Sequence, residues 1–224
     1  VPPLALTAGL AEAVNVAREA GNRLVGIPEL AGSLAGSRRP KRLRVRIAIL
    51  RDEQGQPVAT PAEVEPSLAE AGRILRERLA IELVPAGVPL VTTLEAPAPT
   101  AALDSPCAKG SWQADFGVGG DFFRRHAEPG PATGSGAPIT VFVVRDVLGK
   151  AGCSLGPLVD HVTVDRSALT EPRLRVLAHE LGHACGLPHS GAPENLMLPS
   201  RIGDRLKPWQ VAVFRSSRHV TYSK

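Results

Sequence analysis

Residues 179–189 read His179-Glu180-Leu181-Gly182-His183-Ala184-Cys185-Gly186-Leu187-Pro188-His189, and this run decides how the rest of the chain is read. Thr170 and Pro172 carry helix-opening chemistry, and the apolar spacing that follows predicts a helix continuing through about Cys185. On a helix, positions four apart share a face one turn apart, so His179 and His183 project together. Gly186 can take positive φ at no steric cost, which makes it the helix-exit glycine and lets the chain turn back toward the same face. His189 then returns to meet the other two. Three imidazoles so placed suit three corners of a zinc tetrahedron with bonds of about 2.0–2.1 Å, and the open fourth corner marks a catalytic rather than a structural site. Glu180 follows the first ligand, beside the ion rather than on it, where its carboxylate can take a proton from water acidified by the metal. A chance His-Glu-x-x-His is weak evidence by itself; the added glycine and third histidine at their offsets make the pattern specific.

The motif resembles the metzincin signature H-E-x-x-H-x-x-G-x-x-H. Metzincins also carry a methionine in a tight turn beneath the metal, and the chain's one methionine, Met197, lies in Glu194-Asn195-Leu196-Met197-Leu198-Pro199. Ser190 follows the third histidine, as in matrixins, so the chain looks matrixin-like among the metzincins. The resemblance extends more weakly over about 40–224. It implies an α+β zincin-like fold, with a twisted mixed sheet, two long helices, a small C-terminal lobe and a cleft between. It also implies a zinc-dependent endopeptidase with His179, His183 and His189 on the metal, Glu180 as general base and Met197 below. An edge strand near Ser154–Leu158 should then bind the peptide as an added antiparallel strand. Specificity should come from the pocket between His189 and Met197 and from the loop after it. Departures are visible. No cysteine-switch pro-segment of matrixin type is present, and the His- and Asp-rich stretch that holds structural zinc and calcium in animal matrixins has no match, so calcium is left open. Asp121 and His126 are isolated and read as surface residues. No tyrosine follows Met197, and the cysteine pairs of archaemetzincins are missing after His189.

Outward from the motif, Leu43-Arg44-Val45-Arg46-Ile47 alternates apolar with charged and predicts a strand with one buried face. Leu68, Ala71, Leu75 and Leu79 recur at helical spacing. The start of that helix is ambiguous, because Thr60-Pro61-Ala62-Glu63 has the form of a capping box while Pro66 would interrupt a helix begun there. Ile81–Val84, Thr140–Val144 and His161–Val164 read as strands, with His161 at a strand end on the surface. Residues 95–139, rich in Pro, Gly and Ala, read as loop. Pro208 starts a last helix, WQVAVFRSSR, after which the chain ends. The expected organisation is an N-terminal helical segment, 1–40, and a catalytic domain, 41–224, with an upper lobe at 41–189 and a lower lobe at 190–224.

Composition bounds the alternatives. The 224 residues have 43% hydrophobic and 4% aromatic content, so an ordinary globular core must rest on aliphatic side chains. No apolar run approaches the length of a membrane span. The chain starts at Val1 rather than Met, as a processed or truncated form would. Net charge is +4, with its sharpest basic run at Arg38-Arg39-Pro40-Lys41-Arg42. Aromatics are not interleaved with these charges, so a solvated surface or a protease-sensitive joint is expected there and no nucleic-acid partner. Cys107 and Cys153 sit in polar, Gly/Pro-rich surroundings where a disulfide would tie down a long loop, whereas Cys185 reads as a buried thiol. One bridge and one free cysteine suit a secreted or cell-surface protein, although three reduced cysteines in a cytoplasmic one fit the count as well. A monomer acting on peptide or protein is expected.

Rival readings are weaker. Gly152-Cys153-Ser154-Leu155-Gly156 matches G-x-S-x-G, but a serine hydrolase elbow needs a strand before and a helix after, and Pro157 and a second strand follow Ser154. Three-histidine endoribonucleases lack an acid after the first histidine, and Glu180 is present. A catalytically inactive metzincin-fold binding protein is disfavoured because ligands and base are all intact. Gly117-Val118-Gly119-Gly120 lacks the spacing of a dinucleotide fingerprint.

Overall fold

The alternation of Leu43, Val45, Ile47 and Ile49 with polar neighbours becomes the central strand β1 (Lys41–Arg51), whose odd-numbered side chains are buried on one face. From Ala48 onward its even positions are buried too, because a second layer covers the other face. The computed structural model describes residues 39–107, 117–128, 136–199 and 203–222. The N-terminal helix expected within 1–40 lies outside these.

Helix α1 (Pro61–Ile74) starts at the capping box: the Glu63 amide donates to Thr60 Oγ1 at 3.3 Å and the Thr60 amide donates to Glu63 Oε2 at 2.6 Å. The cap settles the ambiguous start, and the helix runs through Pro66 at the cost of one backbone bond. A π turn (Leu75–Leu79) extends it to β2 (Ile81–Pro85), followed by β3 (Val91–Pro97). β2 and β3 pair in parallel with successive parts of β1.

The segment expected to be loop holds α2 (Thr100–Leu103), β4 (Asp104–Pro106) and α3 (Val118–His126). Glycines at the start of α3 hide its helical signal, and burial of Phe122 and Phe123, the latter stacked 4.8 Å from Phe142, overrides their poor propensity. β5 (Ile139–Val144), fully buried, pairs in parallel with β1 and with β8 (His161–Asp165). Between them, β6 (Asp146–Leu148) pairs with β4, and β7 (Gly152–Ser154) runs antiparallel to β8 as the last strand of the main sheet among the described residues. The edge expected at Ser154–Leu158 lies earlier: β7 ends at Ser154, and 155–158 leave the sheet in a turn that includes Pro157.

Helix α4 (Val176–Ala184) carries the motif, α5 (Pro208–Arg215) follows, and β9 (Val220–Tyr222) pairs antiparallel with the start of β1. Two expectations change here. α4 begins six residues later than Thr170 and is the shorter of the two main helices, because a proline disfavours helix at the residue before it and Thr170–Arg175 forms turns instead. The final helix stops at Arg215, and its successor β9 returns from the 190–224 segment to the central sheet. Fully buried Arg215 helps hold that crossing, donating to the carbonyls of Leu79 and, at 2.7 Å, Arg39.

One hydrophobic cluster lies between the sheet, α1 and α4, and contains Leu177, Ala178, Leu181 and Met197; the second, around Phe122, Phe142 and Val147, lies on the opposite face. The motif helix is therefore bolted to the first face by its apolar side. No helix among the described residues is long and apolar enough to cross a membrane.

Candidate metal centre

α4 ends as a Schellman motif. Leu187 N–H bonds to Gly182 O and Gly186 N–H to His183 O, both at 2.9 Å, with Gly186 at φ +91°. That left-handed exit turns the chain so that His189 comes back to α4. The ring centroids of His179 and His183 lie 4.7 Å apart, those of His183 and His189 4.6 Å, and those of His179 and His189 5.4 Å. One ligand atom from each lies within 4.8 Å of the other two. The structure thus brings together the three histidines that the sequence assigns to a metal.

The donor set fits zinc. His179 Nδ1 donates to Leu196 O at 2.8 Å and His183 Nδ1 donates to Leu187 O at 2.7 Å. A carbonyl can only accept, so each Nδ1 carries the hydrogen and each Nε2 keeps its lone pair for a metal. Burial pushes His179 down to about 4 and also lowers His183 and His189, so the imidazoles are neutral at pH 7, the state a metal needs.

Glu180 lines the same cleft as the histidines and packs against the edge strand. A Cβ on Gly152 would lie 2.7 Å from Glu180 Cγ and 2.9 Å from Oε1, so the strand passes the carboxylate at a distance only glycine allows. Burial pushes the Glu180 carboxyl up to about 8, opposed by the charge of Lys150. Without a cation beside it this acid is held protonated; a cation favours the carboxylate.

Met197 lies in a turn below α4, fully buried, and a Cβ on Gly182 would come within 2.6 Å of its Sδ. It therefore acts as floor packing and does not line the cleft, contrary to the expectation of a specificity pocket between it and His189. Sequence reading passed over the residues that hold this turn. Arg175 donates to Leu196 O and Leu198 O, both at 2.6 Å, and buried Asn195 exchanges amide hydrogen bonds with buried Gln210 while accepting from Met197 N at 3.0 Å. Leu196 O thus carries both Arg175 and the metal-side imidazole of His179. Only a buried amide next to the methionine could have hinted at this.

The remaining candidates lie elsewhere. Asp121 is exposed and His126 half-buried, bonded to Phe122 O at 2.8 Å. His161 is a correction: it is buried, its ring 5.3 Å from Phe123 and 5.9 Å from Phe142, because the unexpected α3 covers that strand end. Ser154 Oγ accepts from Gly156 N at 3.2 Å in a turn that leads to another strand, so the serine elbow is missing its helix. Cys107 and Cys153, whose pairing the sequence left open, form a disulfide, with S–S 2.12 Å and Cα–Cα 5.7 Å, which ties β7 to the end of β4. Cys185 is the buried thiol, pushed up to about 12 by burial.

A cleft of about 1550 Å³ opens over the histidines, with β7 on one side and α5 on the other. No protein-family model matches the chain, and no curated protein matches it. Solved structures do. An archaemetzincin from Methanopyrus kandleri aligns with a TM-score of 0.48 and 14% identity over 79% of this chain and 95% of that one. Metalloproteinase-II from Bacteroides fragilis aligns with a TM-score of 0.51 and 12% identity over 80% of this chain, which spans about half (54%) of that one. Identity this low speaks for the backbone alone: the chain has a mixed central sheet with few helices, the zincin-like metallopeptidase fold.

Proposed function

We propose that the protein is a zinc-dependent endopeptidase. The observation that carries this reading is the meeting of His179, His183 and His189, with two of the three oriented through Nδ1 and Glu180 alongside in an open cleft. Zinc held by these residues supplies Lewis acidity toward water and toward a scissile carbonyl.

β7 offers its outer edge to an extended peptide, and Gly152 lets that strand run against Glu180. Glu180 takes the proton from the water as its oxygen bonds to the carbonyl carbon. The same carboxyl then gives that proton to the amine nitrogen as the C–N bond breaks, so the acid ends as it began. The buried surroundings of Glu180 favour a base whose affinity for the proton is high enough to take it and then release it. The intact set of ligands and base speaks for catalysis over a binding module. The Cys107–Cys153 disulfide fits a secreted or cell-surface setting.

Purified protein should contain about one zinc per chain. Glu180→Ala should keep that zinc while peptide hydrolysis falls by about 10²- to 10⁴-fold. Turnover retained in that variant removes Glu180 as the base, and protein that takes up no zinc removes the whole reading.

A further inference from the structure

The cleft walls differ in chemistry. On the α5 side, Trp209 and Val213, one helical turn apart and 43% and 39% exposed, present an apolar shelf. On the edge-strand side stands the turn between β6 and β7, and its outermost side chain is Lys150.

Lys150 sits on a rigid support. Its amide donates to Val147 O at 2.7 Å across a turn closed by Gly149 at φ +76°, and fully buried Val147 donates its own amide to Asp165 Oδ2 at 2.9 Å. The backbone is fixed while the side chain is exposed and lines the same cleft as the three histidines and Glu180. Lys150, Glu180, His183 and His189 thus face one cleft, and the turn that carries Lys150 leads directly into β7, whose Gly152 passes Glu180.

Asp165, Arg175 and Arg173 on that side hold hydrogen bonds within the fold. Asp165 accepts from the amides of Val147 and Ser167. Asp146 is exposed on the same cleft, its carboxyl raised by loss of solvation with Asp165 against it, and it forms no ion pair with Lys150. Arg175 is spent on two carbonyls of the methionine turn and Arg173 donates to Ser167 Oγ at 3.0 Å. Lys150 contacts Cys107 Sγ at 3.6 Å and pairs with no carboxylate among the described residues. An exposed ammonium on a fixed turn, with no carboxylate partner among the described residues and beside the strand on which a peptide would lie, can take an anion from the substrate.

We infer that Lys150 binds a substrate carboxylate next to the scissile bond, so that the enzyme selects acidic peptides. The inference rests on the peptidase reading above. An aspartate or glutamate side chain and a C-terminal carboxylate offer the same chemistry, and the test separates them.

The probes are matched octapeptides carrying Glu or Gln at each position in turn, each made with a free and an amidated C-terminus. Affinity is measured by calorimetry with the zinc-loaded Glu180→Gln chain, and kcat/KM with the unmodified chain. Acidic peptides should bind about 10- to 100-fold tighter than their Gln partners at one position, and be cleaved faster by a similar factor. Lys150→Met should erase that preference, and Lys150→Glu should transfer it to peptides with Lys at the same position. A preference that persists after amidation assigns the side chain; one lost on amidation assigns the terminal carboxylate. Equal affinity for acidic and neutral peptides, a preference that survives Lys150→Met, or no peptide binding overturns the proposal. Lys150-dependent binding without hydrolysis overturns the peptidase reading while leaving carboxylate recognition standing.

Discussion

The candidate metal centre is built from two halves made differently. His179, Glu180 and His183 stand on α4, whose apolar side is locked into the main core, and both histidines have their Nδ1 hydrogens fixed by carbonyls. His189 stands on a loop, is exposed, and its ring makes no hydrogen bond among the described residues. The helical half is packed into the core and its rings are oriented by carbonyls; the loop half is placed by its backbone alone, through Leu187 N–H to Gly182 O and Ser190 N–H to Met197 O, both at 2.9 Å. Burial bears mainly on the helical half, where it lowers His179 and raises Glu180.

The largest test breaks each half separately. His179→Ala and His189→Ala should both reduce zinc from about one per chain to little or none, because two imidazoles do not make a catalytic site. They should differ in the metal-free protein. His179→Ala removes a buried ring and the hydrogen bond to Leu196 O, and should cost about 1–3 kcal/mol of stability. His189→Ala removes an exposed ring and should leave stability within about 0.5 kcal/mol. Denaturant unfolding of the chelated proteins measures the difference, and equal losses would show that the two halves are not distinct.

A second test uses pH on the helical half. In the metal-free protein Glu180 is raised by burial from 4.5 to about 8. The folded state therefore holds this proton more tightly than the unfolded state. The stability so gained is fully present below 4.5 and is lost as pH rises through 8. Burial lowers His179 to about 4 and acts with the opposite sign: its contribution is present above 6.5 and fades as pH falls. Glu180→Gln removes only the first dependence. Metal-free unmodified protein should thus lose thermal stability against Glu180→Gln as pH rises from 4.5 to 8, and zinc should abolish the gap by favouring the carboxylate. Parallel melting curves across that range would show that Glu180 is not held protonated.

The halves also differ in how much of them the sequence made legible. Helix periodicity places His179 and His183 on one face, and Gly186 announces the exit turn, since these are local rules obeyed within a few residues. β1 and β5 were equally readable from alternation and β-branched content. What stayed hidden depends on distant partners. α3 forms because Phe122 and Phe123 pack under Phe142, and that covering layer buries His161. Arg175, Gln210 and Lys150 acquire their positions from contacts 15 to 43 residues away, which no local pattern encodes. Pro66 shows the reverse case, a local breaker overruled by a good cap and a packed helix face.

A third test, without loss of a metal ligand, makes one substitution in each half. Gly182 lies on α4 where a Cβ would meet Met197 Sδ at 2.6 Å, and Met197 has no room to withdraw because it is fully buried. Gly182→Ala should therefore cost about 1–3 kcal/mol by overpacking. It should also weaken zinc binding, since the turn it pushes on supplies the carbonyl that orients His179. Gly191 lies two residues past His189 with nothing within 4 Å of an added Cβ and no left-handed φ. Gly191→Ala should stabilise the chain by about 0.4–1 kcal/mol, because it restricts the unfolded state without straining the folded one. The same methyl group thus reads opposite signs from the two halves, and denaturant midpoints measure both. A destabilised Gly191→Ala would mean that the loop is packed against something the exposed His189 side does not reveal, and the division between a packed half and an exposed half would fail.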